Sequence, residues 1–222
     1  MMDNVVGTKT TRASPLTVVL SPGAVGGLAL MELTGKEAVV SMKNTTGGST
    51  VYNKTISLDG SLITSFYDFF FALYEQLETV VLTDLPFSYY APELTVSITA
   101  TTGSVACGVF KLGELIDIGG TEYGATSGIT DYSRKERDVF GNYSVVERTF
   151  SKRSNFKVHT NAVDYNRISK RLTEVRATPA VWVGTDVSGY EPLIIYGFVK
   201  DWSVDVAYPT VNYCNLDIEG II

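Results

Sequence analysis

ELTVSITA, Glu93 to Ala100, decides the fold class: Leu94, Val96 and Ile98 alternate with Thr95, Ser97 and Thr99. Successive side chains of a strand point to opposite faces, so this pattern builds a strand with one buried and one wet face. VNYCNLDIEG repeats it near the C-terminus, with Cys214, Leu216 and Ile218 set against Tyr213, Asn215, Asp217 and Glu219. Between and before them lie further β-like runs: PLTVVL, EAVVSM, STVYNKTISL, TVVLTDL and SVACGVFKL. Gly, Asn, Asp and Pro separate these runs, as in GGST and LDG, which is the punctuation of antiparallel sheets rather than of βαβ units.

One helix is expected in each half. Ser65 and Asp68 form a capping box with Asp in place of Glu, and Phe66, Phe70, Leu73 and Leu77 follow at helical spacing. Tyr67, Phe69, Phe71 and Tyr74 make this segment aromatic nearly all round. A continuous apolar stripe without interleaved cations predicts packing against the sandwich core rather than a stacking surface for sugar or nucleic acid. The second helix is expected over Ala162 to Arg176, with Asn161 as cap and Tyr165, Ile168, Leu172 and Val175 on one face. Arg167, Lys170 and Arg171 take the other face, and Pro179 lies just beyond the end.

Two glycine-rich stretches punctuate the chain. GAVGGLAL, Gly23 to Leu30, reads as a turn and is too weak for a dinucleotide signature, while GGTEYG lacks the spacing of a phosphate loop. The composition shift from residue 113 to residue 130 marks a boundary. The expected organisation is a flexible polar arm over residues 1–14, a β-sandwich-like domain over 15–112 and an α+β domain over 113–222. The fold class is mainly β with α+β character: an N-terminal antiparallel sandwich with one helix, then an antiparallel sheet with one packed helix.

At 222 residues, 45% hydrophobic and 19% charged, the chain can bury an ordered core. Its net charge of −6 argues against a general polyanion binder. The charge is bipolar: from Asp131 to Arg176 eleven Lys or Arg stand against six Asp or Glu, a local +5 that leaves −11 for the rest. The densest stretch is DYSRKERDVFGNYSVVERTFSKR, Asp131 to Arg153, where Phe140-Gly141-Asn142 is a turn and Thr130–Asp138 should pair with Tyr143–Ser151. Its six basic residues alternate with Asp131, Glu136, Asp138 and Glu147, so cross-strand pairs could neutralise the field. Contact with protein is favoured over nucleic acid, with Arg134, Arg137, Arg148 and Arg153 as anchors.

No catalytic set emerges. His159 is the only histidine and no Gly-x-Ser-x-Gly turn accompanies it. One His with the distant Cys107 and Cys214 cannot supply a zinc shell, and both cysteines sit in alternating apolar contexts expected to be reduced and buried. Asp201 and Asp205 lie about 13 Å apart along a strand, too far for a glycosidase pair. Asp84 in LTDLP reads as fixing the turn before Pro86 rather than binding calcium. The expectation is a non-enzyme without cofactor or metal. The N-terminus lacks the order of a secretory signal and Asp68 breaks the aromatic run, so a soluble protein made in the cytoplasm, without membrane insertion, is expected.

YGATSGITDYSRKE, VFGNYSVVERTFSKR, RATPAVWVG and YGFVKDWSVDVAYPTVNYCNLDIEG resemble a family of tailed-bacteriophage virion proteins encoded among tail-tip and baseplate genes. VVLTDLP followed by SVACGVFKLGELIDIGGTEYG resembles the segment preceding that block. The likeness covers about residues 61–222. It implies a structural component of the distal tail, made in the host cytoplasm and assembled in rings or as a fibre anchor, whose partners are itself and other tail proteins. The alternative is a receptor-binding module of the tail in which Tyr89, Tyr90 and Trp202 stack on a host-surface glycan.

Overall fold

A computed structural model describes residues 7–60, 65–71, 75–187 and 189–221. The fold is mainly β with α+β character. The chain divides into two compact units, Met1–Leu115 and Ile116–Ile222.

The first unit contains nine strands: β1 (Thr10–Ala13), β2 (Leu16–Leu20), β3 (Gly27–Met31), β4 (Glu37–Lys43), β5 (Thr50–Ser57), β6 (Thr79–Leu82), β7 (Glu93–Thr99), β8 (Ser104–Cys107) and β9 (Val109–Gly113). They pair antiparallel throughout, as a four-stranded sheet β2-β7-β4-β5, a three-stranded sheet β6-β3-β9 and the pair β1-β8. Leu94, Val96 and Ile98 of β7 and Ala38, Val40 and Met42 of β4 point inward, where they share one core with Leu28 and Leu30 of β3 and Phe110 of β9. The strand with the decisive alternation is therefore an interior strand, flanked by β2 and β4.

Two expectations change here. The flexible arm is not free along its whole length: Thr10–Ala13 pairs with Ser104–Cys107, and the Ser14 hydroxyl bonds across to Ala100. A short polar segment can complete a ladder without contributing to a core, because the backbone supplies the bonds. Residues 1–6 of the arm lie outside the described residues. GAVGGLAL is a turn only in its first half, where Gly23 takes a positive φ of 82°, and from Gly27 it is β3, the middle strand of its sheet. Leu28, Ala29, Leu30 and Met31 are all buried, so the run carries no alternation to read.

Asp84 also acts differently from the expected turn role. It follows β6, yet accepts hydrogen bonds from Tyr52 (2.8 Å) and Lys54 (3.0 Å) of β5, linking the margins of the two sheets. Burial works to raise its pKa, but the bonds from Tyr52 and Lys54 outweigh it and hold the carboxyl below its usual range. Burial and Asp84 push the Tyr52 hydroxyl up.

The second unit is built on a six-stranded antiparallel sheet. Its strands are β10 (Gly120–Thr121), β11 (Thr126–Asp131), β14 (Phe150–Asn161), β15 (Ala180–Val183), β16 (Ile194–Asp205) and β17 (Val211–Gly220); β12 (Arg134–Arg137) and β13 (Tyr143–Val146) form a separate ribbon. The order is β10-β14-β17-β16-β15, with β11 on β14 as well. The inward side of β14 and β17 carries Phe156, Val158, Cys214, Leu216 and Ile218. The 11-residue helix Tyr165–Val175 presses Ile168 and Leu172 into this core, with Val175 half-buried beside them. A 3-10 turn over Ala162–Asp164 precedes it, and Asn161 ends β14 without a capping side-chain bond. Cys107 and Cys214 are buried free thiols, each pushed up to about 11 chiefly by burial.

Candidate interaction surface

The long hairpin is paired in the expected register only at its root, and it is built in two pieces. At its root β11 pairs with the start of β14, Thr130 opposite Ser151 and Asp131 opposite Phe150. Beyond that, Arg134 lies opposite Val146 and Arg137 opposite Tyr143, a register shifted by one residue. The interruption is stitched by Tyr132 N to the Thr149 carbonyl (3.3 Å), Arg148 N to the Ser133 hydroxyl (3.0 Å) and the Tyr132 hydroxyl to Glu219 (3.2 Å). The outer piece is a two-stranded ribbon outside the six-stranded sheet, and all eight of its strand residues are exposed.

Its turn is locked by one carboxylate. Asp138 Oδ1 accepts from Phe140 N (2.9 Å) and Asn142 N (2.8 Å), and Oδ2 accepts from the Asn142 amide (3.0 Å). Gly141 takes a positive φ of 89°, as the turn chemistry anticipates. The bonds from Asn142 above all hold Asp138 below its usual range. At the root, Ser133 and then Lys135 hold the Asp131 carboxyl at about 2. Both folded-state pKa values are depressed, so the order they confer is fully present above the unfolded carboxylate value of about 4 and is lost as pH falls through the folded values. The protection of residues 131–150, taken relative to intrinsic amide exchange rates, should therefore persist at pH 5 and fall toward pH 2, and Asp138→Ala should abolish the protection at the turn even at pH 7.

The ribbon sorts its charges by face. Side chains directly opposite share a side, so Arg134, Glu136, Ser144 and Val146 line one face and Lys135, Arg137, Tyr143 and Val145 the other. Neutralisation is not cross-strand, because every partner across the ladder is uncharged. Instead Arg134 pairs with Glu136 on its own strand and Lys135 with Asp131, at 3.0 Å. Arg137 has no ion pair among the described residues; its guanidinium lies 5.3 Å from the Tyr143 ring centroid and bonds to the Gly141 carbonyl. One face is thus neutral and the other cationic and apolar.

Of the four arginines expected as anchors, Arg134 and Arg137 lie on β12, Arg148 follows β13 and Arg153 lies on β14 opposite Gly128; all are exposed. The sequence reading missed their apolar companions: Val139, Phe140, Tyr143, Val145 and Val146 are 52–94% exposed. The signal was there in VFGN, since two bulky apolar residues at a hairpin turn contradict the usual polar turn.

A second uncovered surface lies in the first unit. The helix α1, Phe66–Phe71, begins where predicted, and the Ser65 hydroxyl caps the Asp68 N–H at 3.1 Å. It does not pack into the core: Phe66, Tyr67, Phe69, Phe70 and Phe71 are 65–89% exposed. The rings stack on one another instead, Tyr67 on Phe71 at 4.8 Å and Phe69 edge-on to Phe70 at 5.1 Å. A surface aromatic all round has no polar side to present to water, so its composition identifies burial without identifying against what. Leu73 and Tyr74 lie outside the described residues, whereas Leu77 packs on the first core, beyond α1.

The glycan-stacking candidates are not gathered in one unit. Tyr89 is half-buried against the first core and Tyr90 is almost fully exposed beside it, while Trp202 is half-buried against the second core. His159 lies 3.3 Å from Glu122. Among the described residues no group of three or more His, Cys, Asp or Glu could hold a metal ion, and no helix is long and apolar enough to cross a membrane. Comparison with protein-family models, with curated proteins and with solved structures finds no match for this chain.

Proposed function

We propose that this protein is a structural subunit of a bacteriophage tail, made in the host cytoplasm and placed in the distal tail, baseplate or fibre anchor, where it assembles with itself and with other virion proteins. The observation that carries the assembly part is the ribbon: a two-stranded projection with exposed apolar residues at its tip and one cationic face buries nothing for its own chain. Such a projection is a liability in an isolated molecule and an asset where a neighbour covers it. The motifs of residues 61–222 carry the tail part. The reading needs no catalytic group, cofactor, metal or nucleic acid. The glycan-binding alternative finds less support, since Tyr89 and Trp202 are half-buried and only Tyr90 offers an open ring face.

Gold-labelled antibody against this chain should decorate the tails of purified particles in electron micrographs, and absence of the chain from purified particles would overturn the reading. Reversing Arg137 and Arg148 to Glu should impair assembly while leaving monomer melting nearly unchanged, because exposed charges contribute little to folding but like charges across an interface cost several kcal/mol.

A further inference from the structure

We propose that the two uncovered surfaces of this chain are partners: the aromatic helix α1 of one copy receives the cationic, apolar face of the β12–β13 ribbon of another copy. The inference rests on the self-assembly reading above and names the partner of the ribbon.

Size is the first argument. Five aromatic side chains of about 150–250 Å² each, exposed as α1 exposes them, leave roughly 550–900 Å² uncovered. That lies at or above the upper end of the largest apolar patch of a typical monomer, about 300–600 Å², and its upper end reaches the contribution of one partner to a standard interface, about 800 Å². The ribbon presents Val139, Phe140, Tyr143 and Val145, also largely exposed.

Chemistry is the second. The α1 surface carries aromatic ring faces and the acidic Asp68, with no Lys or Arg from Asn53 to Phe110 other than Lys54. The ribbon face carries Lys135 and Arg137, and Arg137 makes no ion pair among the described residues. A planar guanidinium stacks on aromatic faces and is attracted by their negative π-surface. An isologous ribbon contact would set Arg137 against Arg137, whereas helix-to-ribbon contact sets the guanidinium against aromatic ring faces. The acidity of the α1 surface disfavours an anionic lipid surface as the occupant.

Because donor and acceptor surfaces differ, the contact is heterologous, and repetition yields a ring or a filament. Two variants of exposed residues test this: Phe69→Ser with Phe70→Ser, which removes the helix surface, and Arg137→Glu with Val145→Ser, which removes the ribbon face. Sedimentation of the full chain should show oligomers for the wild type. Each variant alone should remain monomeric at about tenfold the wild-type assembly concentration, since central aromatic and Arg contacts dominate interfaces. An equimolar mixture should form a one-to-one dimer and nothing larger, because each variant retains the surface that the other lacks. A mixture that stays monomeric overturns the proposal, as does self-association of the ribbon variant through α1 or of the helix variant through the ribbon. A wild-type monomer at high concentration overturns it as well. Should either variant melt differently from the wild type, a photoreactive benzophenone side chain at position 69 of the otherwise native chain must crosslink to residues 137–146 of a second, isotope-labelled copy; crosslinks elsewhere overturn the pairing. Particle decoration is scored separately, so the tail reading survives or fails independently.

Discussion

Replacing Leu172 by Asp is expected to unfold the second unit while leaving the first folded. Leu172 is 2% exposed, on the helix face that meets Phe156, Cys214 and Leu216. Truncating a buried Leu costs about 2–5 kcal/mol, and an unpaired carboxylate in the same place adds several more or forces its own protonation. A domain stability of about 5–15 kcal/mol does not absorb that comfortably. The sandwich has a core of its own, so calorimetry and amide exchange should show Ala38, Val96 and Ile98 still protected while Val158, Leu216 and Ile218 exchange freely. Loss of both units in one transition would refute the assignment of two separate cores.

Gly197→Ala is expected to be the most damaging change among single-methyl additions in the sheet. Gly197 of β16 faces Gly220 of β17, and a Cβ there would meet the Glu219 carbonyl oxygen, with the Gly220 Cα at 2.7 Å. Both obstacles are backbone, so nothing can rotate aside. The Gly197 carbonyl also accepts the buried Trp182 indole N–H at 3.2 Å, tying β15 to the same point. Overpacking typically costs about 1–3 kcal/mol, and a clash with unyielding backbone belongs at the upper end of that range. Gly113→Ala provides the control: no atom lies within 4 Å of the added methyl, so its effect should stay within about 0.5 kcal/mol. Chemical denaturation of the two variants checks the contrast, and equal effects would refute the steric argument.

Much of the fold was legible because the longest central strands, β4, β7, β14 and β17, each bury only one face. Alternation found β4, β7 and β17 almost to the residue, and the Phe140-Gly141-Asn142 turn gave the root register of the hairpin. β3 escaped because it is buried along its length and contains Gly27 and Ala29, leaving neither a period nor bulk to recognise. The break at Tyr132 and Ser133 escaped for a different reason: it depends on hydrogen bonds to Thr149, Arg148 and Glu219, which no local pattern encodes. For α1, helical spacing gave the start and the cap correctly, but spacing describes one segment and burial is a property of two. The same limit applies to the arginines, whose charges were readable while their division into a neutral and a cationic face required the register.

The two buried thiols have a practical consequence. Only the thiolate reacts readily, and a pKa near 11 leaves on the order of one thiol in ten thousand ionised at neutral pH. Cys107 and Cys214 are also enclosed by side chains, so alkylating dyes should pass over the native chain. A cysteine placed at the exposed Val139 would then be the one fast-reacting position, and the native molecule serves as its own silent background for a fluorophore or spin label at the ribbon tip. Assembly could be followed in real time from that single position, without first removing any residue the fold depends on.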